Sequence, residues 1–225
     1  MEYISEAQAV SEVFKLFSAL FDGPPPLPAA VRVIDDILPA LRKTLDLGER
    51  ETDLRPECFA AEYENLFLVP SVQRQLDPYS TSYAKEPEEA RAKLIPELLM
   101  LAEILRIPWQ KENFIAGRAY PVMPDHLSVL FGLLSVTSLV DIDADIAGKS
   151  ALEWNSTLAE EAALTLGEMR NVMLARVGSI RNPGYCELIT VALAYVRTYL
   201  EVGLSCHSSR SQHLGGGSHH DERTA

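Results

Sequence analysis

The sequence predicts an all-α protein, a single helical bundle of about seven to nine helices around one shared core. Three observations carry that reading. Apolar residues recur at three- and four-residue steps along most of the chain, the period of one helix face. No segment sustains the strict alternation that a half-buried strand needs. Apolar residues make up 47% and charged residues 23% of the 225, enough for one core under an ordinary surface.

The first helix covers residues 4–21, where Val10, Val13, Phe14, Phe17, Leu20 and Phe21 share a stripe. Ser5 and Gln8 stand at capping-box spacing ahead of it. DGPPPLP (22–28) ends it, because proline lacks the N–H and clashes with the preceding turn. Val31, Ile34, Leu38, Leu41 and Leu45 mark a second helix, which Pro39 should kink or split and Gly48 should stop. A third starts near Pro56, turns Phe59, Tyr63, Leu66 and Phe67 inward, and ends before Pro70. Residues 70–86 have neither period and form a long loop, of the kind that tends to be functional or disordered.

Helix four runs from about Pro87 to Arg106 on Leu94, Leu98, Leu101 and Leu105. IPWQ interrupts it, and KENFIAG is a short turn into RAYPVMPDHL. The next helix spans roughly 124–140 and buries Leu127, Leu130, Phe131 and Leu134. After the loop DIDADIAGK, Ser150 and Glu153 form a second capping box. It opens a long helix to about Val177, on Leu158, Ala162, Leu166, Met169 and Met173. GSIRNPG turns the chain into a last helix on Tyr185, Leu188, Ile189, Ala192, Val196, Tyr199 and Leu200. From residue 205 the chain is polar and glycine-rich and cannot bury enough apolar surface to order itself. Residues 1–204 are therefore expected as the helical domain and 205–225 as a disordered tail.

Several function classes are disfavoured. With 20 Lys and Arg against 32 Asp and Glu the net charge is −12, which repels phosphate backbones and attracts basic partners. No run of about 18 uncharged apolar residues appears, so no membrane insertion is expected. The opening MEYISEAQAV lacks a basic n-region and an apolar h-region, which favours a cytoplasmic location. Cys58, Cys186 and Cys206 are odd in number and show no CxxC spacing, so they read as two small core residues and one tail thiol. DIDADIAG (141–148) places Asp141, Asp143 and Asp145 like the first ligands of a calcium loop. Ile146 and Leu152 stand where that loop needs glycine and glutamate. His207, His213, His219 and His220, with Cys206, lie in the tail, where no preformed metal site is expected. GxSxG, HExxH and P-loop patterns do not occur, and no cofactor is implied.

One short stretch keeps its interest. MPDHL (123–127) sets an Asp-His pair behind a proline at a helix mouth. Asp125 fits helix capping, since an acid in the first turn accepts orphan N–H groups and suits the helix dipole. His126, the only histidine before the tail, would be held neutral beside the same positive helix end. Neighbours on a helix point apart, which argues against a dyad of the two. A binding surface is the third reading.

In order and spacing, EYENLFLVP (62–70), DPYSTSY (77–83), PDHLSVLFGLL (124–134) and RNPGYCELITVALAYVRTYLE (181–201) resemble the TorD/DmsD/NarJ family of redox-enzyme maturation chaperones. The resemblance spans most of residues 5–204. It implies a non-enzymatic cytoplasmic chaperone that binds the N-terminal segment, often a twin-arginine signal peptide, of a molybdenum-cofactor oxidoreductase catalytic subunit. Such a chaperone holds the apo-subunit until cofactor is inserted, before export, and acts as a monomer or dimer. By the same resemblance Tyr63, Leu66 and Phe67 match a Y-x-x-L-F element, and Pro78, Tyr79 and Tyr83 a P-Y-x-S-x-Y loop. Asp125 and His126 match an Asp-His pair at the hinge between two helical halves. The sequence departs at Thr81, where the family has serine, and at Ser80, often glutamate. Met123-Pro124 ahead of Asp125 looks closer to an LPDHL form than to EPxDH.

A peptide with two guanidinium groups and an apolar run needs carboxylates beside an apolar groove, and arginine also stacks on tyrosine. Tyr63, Phe67, Asp77, Pro78, Tyr79, Tyr83, Tyr120, Met123, Asp125 and His126 are the expected peptide-binding residues, with Trp109 and Glu86 near them in sequence. Two rivals stay open: a small-molecule enzyme using His126 in a buried pocket, and a permanent subunit or scaffold of a redox complex.

Overall fold

The computed structural model describes residues 5–49, 54–68, 76–107, 112–115, 118–121, 123–175 and 182–203. The expected disordered tail, with its cysteine and histidines, and Trp109 lie outside the described residues. Helices dominate, as expected: α1 Glu6–Asp22, α2 Leu27–Arg32, α3 Leu38–Thr44, α4 Phe59–Tyr63, α5 Pro87–Ile104, α6 Leu127–Thr137, α7 Ala151–Ala175 and α8 Pro183–Thr198.

Helix α1 starts on the predicted capping box: Gln8 N–H donates to Ser5 Oγ at 3.2 Å and Ser5 N–H to Gln8 Oε1 at 2.9 Å. Its apolar face lies along α6. Phe131 of α6 packs its ring 5.4 Å from Phe17, 5.8 Å from Phe21 and 6.1 Å from Phe14. Two hydroxyls stitch the pair: Ser11 Oγ donates to the Ser135 carbonyl and Ser18 Oγ to the Ser128 carbonyl, both at 2.7 Å. Helices α7 and α8 pack on each other, and α7 on α6. Trp154, Leu158, Leu166, Tyr185, Leu188 and Val196 are fully buried in one core cluster with the α1 phenylalanines. The two ends of the described chain therefore share one core.

Proline and stop signals act locally. Pro39 splits the second helix as predicted. A wider turn, Val33–Ile37, separates α2 from α3, and the Leu38 N–H reaches back to the Val33 carbonyl. The stop comes before Gly48. Asp46 adopts a left-handed φ of 51°, and Leu47 N–H bonds the Arg42 carbonyl at 3.1 Å. The same motif ends α5 at Arg106, φ 54°. Arg42 then clamps this corner, donating to both Glu187 oxygens at 2.9 and 3.0 Å and to the Leu47 carbonyl at 2.8 Å.

Four expectations need correction. The segment read as the turn KENFIAG and its sequel is an antiparallel hairpin, β1 Glu112–Ile115 with β2 Arg118–Pro121. The DIDADIAGK loop holds another, β3 Asp145–Ile146 with β4 Lys149–Ser150, closed by Asp145 Oδ1 accepting the Gly148 N–H at 2.7 Å. Two to four residues per strand are too few for alternation to register. Val31, placed on an apolar stripe, is 39% exposed, because α2 is one short segment with little to pack on. Cys58 and Cys186 are half-buried rather than core residues. The second capping box stands as predicted, with Glu153 N–H on Ser150 Oγ and Ser150 N–H on Glu153 Oε2.

Candidate functional site

His126, not Asp125, caps α6. Its backbone is extended (φ −69°, ψ 141°), and its Nδ1 accepts the Ser128 N–H at 3.1 Å. An Nδ1 that accepts carries no proton, so the ring is the neutral Nε2–H tautomer. With Nδ1 unprotonated, the Ser128 hydroxyl also donates to it at 2.8 Å, and Ser128 Oγ lies 3.4 Å from Asp22 Oδ1. Burial, with 6% of the residue exposed, pushes the His126 pKa down to about 4. The ring is thus neutral and hydrogen-bonded as expected, but burial and not the helix end is the cause. Asp125 points elsewhere, and no hydrogen bond joins the two side chains.

Asp125 serves the loop. The Thr81 hydroxyl donates to Asp125 Oδ2 at 2.5 Å, and Asp125 is 1% exposed. Main-chain bonds fix the same contact: Ser80 N–H to the Asp125 carbonyl at 3.0 Å and Leu127 N–H to the Pro78 carbonyl at 2.9 Å. Tyr79 and His126 face each other across this antiparallel bridge, with rings edge to face at 5.0 Å. The stretches 77–83 and 123–127, far apart in sequence, are one structural unit. Inside the loop Asp77 Oδ1 accepts the Tyr79 N–H at 3.2 Å, and Tyr83 Oη accepts the Asp77 N–H at 3.2 Å. Ser80–Tyr83 make a single 3₁₀ turn.

The expected site residues separate into three groups. Asp77, Pro78, Tyr79 and Tyr83 are half-buried, and Met123 is exposed. Asp125 and His126 are buried, so they hold the loop from behind. Tyr63 and Phe67 belong to an aromatic cluster: their rings lie 4.9 Å apart and both approach Tyr185, at 5.7 and 5.6 Å. Phe67 is half-buried, and Tyr63 donates its hydroxyl to the Asp22 carbonyl at 3.3 Å. Tyr120 stands in β2 opposite Asn113; its side chain lies outside the described residues.

No protein-family model, curated protein or solved structure matches the chain.

Asp22 links the groups, and the periodicity gave no sign of it because it ends α1 beside the proline break. Its carboxylate lies 3.4 Å from Ser128 Oγ, and Asp22, then Tyr79, add to burial in pushing Tyr63 up to about 12. Burial, then Asp77 and Asp125, also raise Tyr79. Both phenols therefore stay protonated at neutral pH. Phe67, Pro78 and Tyr79 offer apolar surface, and half-buried Asp22 and Asp77 offer two carboxylates near the same tyrosines. Such a patch can stack a guanidinium on a ring face and bond it to a carboxylate. Among the described residues no group of three or more His, Cys, Asp or Glu side chains is arranged to hold a metal. No described helix is long and apolar enough to cross a membrane.

Proposed function

We propose that the protein is a cytoplasmic, non-enzymatic chaperone that captures the N-terminal, twin-arginine-type segment of a molybdoenzyme catalytic subunit before cofactor insertion. The observation that carries the reading is the bridge between Tyr79 and His126. It ties the two sequence stretches of the family resemblance into one unit and leaves Tyr79 half-buried beside Asp77. In this reading Asp22, Asp77, Phe67, Pro78 and Tyr79 touch the peptide, while Asp125, Thr81 and His126 position the loop. The chain's charge of −12 favours a basic segment as partner. A catalytic His126 draws less support, since its Nδ1 is engaged in the helix cap and the residue is 6% exposed.

Calorimetry with a synthetic peptide of two consecutive arginines followed by an apolar run tests the reading. Binding is expected, with a tenfold or greater loss in Tyr79→Ala and in Asp77→Asn and a smaller loss in Thr81→Val, which acts through loop placement. No binding by the natural chain, or equal affinity in Tyr79→Ala and Asp77→Asn, overturns it.

A further inference from the structure

We propose that the outward face of α5 pairs with the same face of a second copy of this chain, the two helices running antiparallel in a reversible dimer. This surface shares no residue with the peptide patch, and the inference does not rest on the chaperone reading.

Helix α5 is apolar on two sides. Leu94, Leu98, Leu101 and Ala102 fill its core side. Ala92, Pro96, Met100 and Ile104 follow one another at four-residue steps on the other side. All four are exposed, Met100 by 41% and Ile104 by 49%. Residues four apart are neighbours on one helix face, so the four make a continuous stripe. A helix that is apolar around most of its girth is normally covered on both sides. Among the described elements the main neighbour of α5 is the Ser80–Tyr83 turn, and the stripe stays open.

The charges beside the stripe select the occupant. Ala92 and Ile104, Pro96 and Met100, and Lys93 and Glu103 are each equidistant from Leu98 in the sequence. A twofold antiparallel pairing centred there sets Ala92 against Ile104 of the second copy and Pro96 against Met100. The same symmetry repeats each contact. It also brings Lys93 level with Glu103 of the second copy. Both are exposed, and among the described residues neither forms an ion pair. Glu89, in line with the stripe, reaches the end that carries Arg106, and both of these are exposed as well. Parallel pairing would instead set Lys93 against Lys93 and Glu103 against Glu103, which is repulsive. Glu97, the remaining charge near the centre, is already held by Lys149 at 2.7 Å. The helix has 18 residues and is about 27 Å long. One such helix pair lies at the small end of interface sizes, which makes the dimer concentration-dependent rather than permanent.

Sedimentation equilibrium of the full chain from about 2 to 200 µM tests this, because a contact of this size dissociates in the micromolar range. A monomer–dimer equilibrium is expected. Met100→Glu puts a charge into the seam and should weaken the dimer about tenfold or more. Lys93→Glu should weaken it severalfold, and adding Glu103→Lys to the same chain should restore it. All three positions are on the surface, and circular dichroism checks that the variants stay folded. A monomer at every concentration overturns the inference; if Met100→Glu then lowers the melting temperature, another segment of the same chain covers the stripe. A dimer that Met100→Glu leaves unchanged, or a Lys93→Glu loss that Glu103→Lys does not repair, also overturns it.

Discussion

Replacing Glu62 with glutamine should leave the protein increasingly more stable than the natural chain as the pH rises. Glu62 sits on α4 at 3% exposure, and its Oε2 accepts the Tyr185 N–H in the first turn of α8 at 2.9 Å. Burial pushes its pKa up from 4.5 to about 7, against the opposing pull of the Tyr185 and Gly184 N–H groups. Between those values the folded protein holds a proton that the unfolded chain has released. Stability from this group is thus complete below pH 4.5 and falls as the pH climbs through 7. At about 1.4 kcal/mol per pKa unit the whole loss is about 3 kcal/mol. Glutamine is neutral throughout and keeps an oxygen for the Tyr185 N–H. Urea unfolding at pH 4.5, 6, 7 and 8 should show a variant-minus-natural difference that grows by about 3 kcal/mol, roughly a 1 M shift in midpoint. A difference that is flat with pH, or a glutamine variant that is the less stable at pH 8, would refute the reasoning. The second result would mean that the charged carboxylate gains more from the helix N-terminus than burial costs it.

His126 pulls the other way. Its pKa falls from 6.5 to about 4, so its contribution is complete above pH 6.5 and lost as the pH drops through 4. The slopes of Glu62 and His126 oppose each other between pH 4.5 and 6.5, and His126→Asn should remove only the second. Asparagine also retains a capping acceptor, so chemical denaturation at pH 8 should find His126→Asn more stable than His126→Ala by about 1 kcal/mol. Gly184→Ala would place a Cβ 2.7 Å from Phe59 Cδ2 and Cε2 and 3.0 Å from Glu62 Oε2. Phe59 is fully buried and stacked on Tyr185 at 4.6 Å, so it cannot yield, and thermal unfolding should report a loss of about 2 kcal/mol or more. Arg42→Ala strands the largely buried Glu187 and frees the 47–49 corner, at a cost of about 3 kcal/mol by urea titration.

Much of the helical architecture was legible because it depends on local periodicity and capping chemistry. Ser5 with Gln8 and Ser150 with Glu153 began helices where their spacing said they would, and Pro39 split one. The hairpins at 112–121 and 145–150 were not legible, since strands this short carry no alternation. The MPDHL question had a mixed outcome. A capped helix mouth follows from position alone, whereas the neutral histidine that position suggested is held so by burial. That the imidazole and not the carboxylate is the cap depends on where Thr81 sits, and Thr81 arrives from a loop 44 residues away.

The sequence by itself determined the helical class, most helix starts, the acidic surface and the residues that could bear on a partner. Those properties follow from neighbours a few residues apart, and the chain specifies such neighbours directly. Only the tertiary structure decided which candidates face outward. It set Tyr79 against His126, turned Asp125 inward to Thr81, and brought Asp22 beside Tyr63. Each of these pairings is made by packing α1, α6 and α7 around one core. The contact of two side chains tens of residues apart is a property of that packing and not of any local pattern.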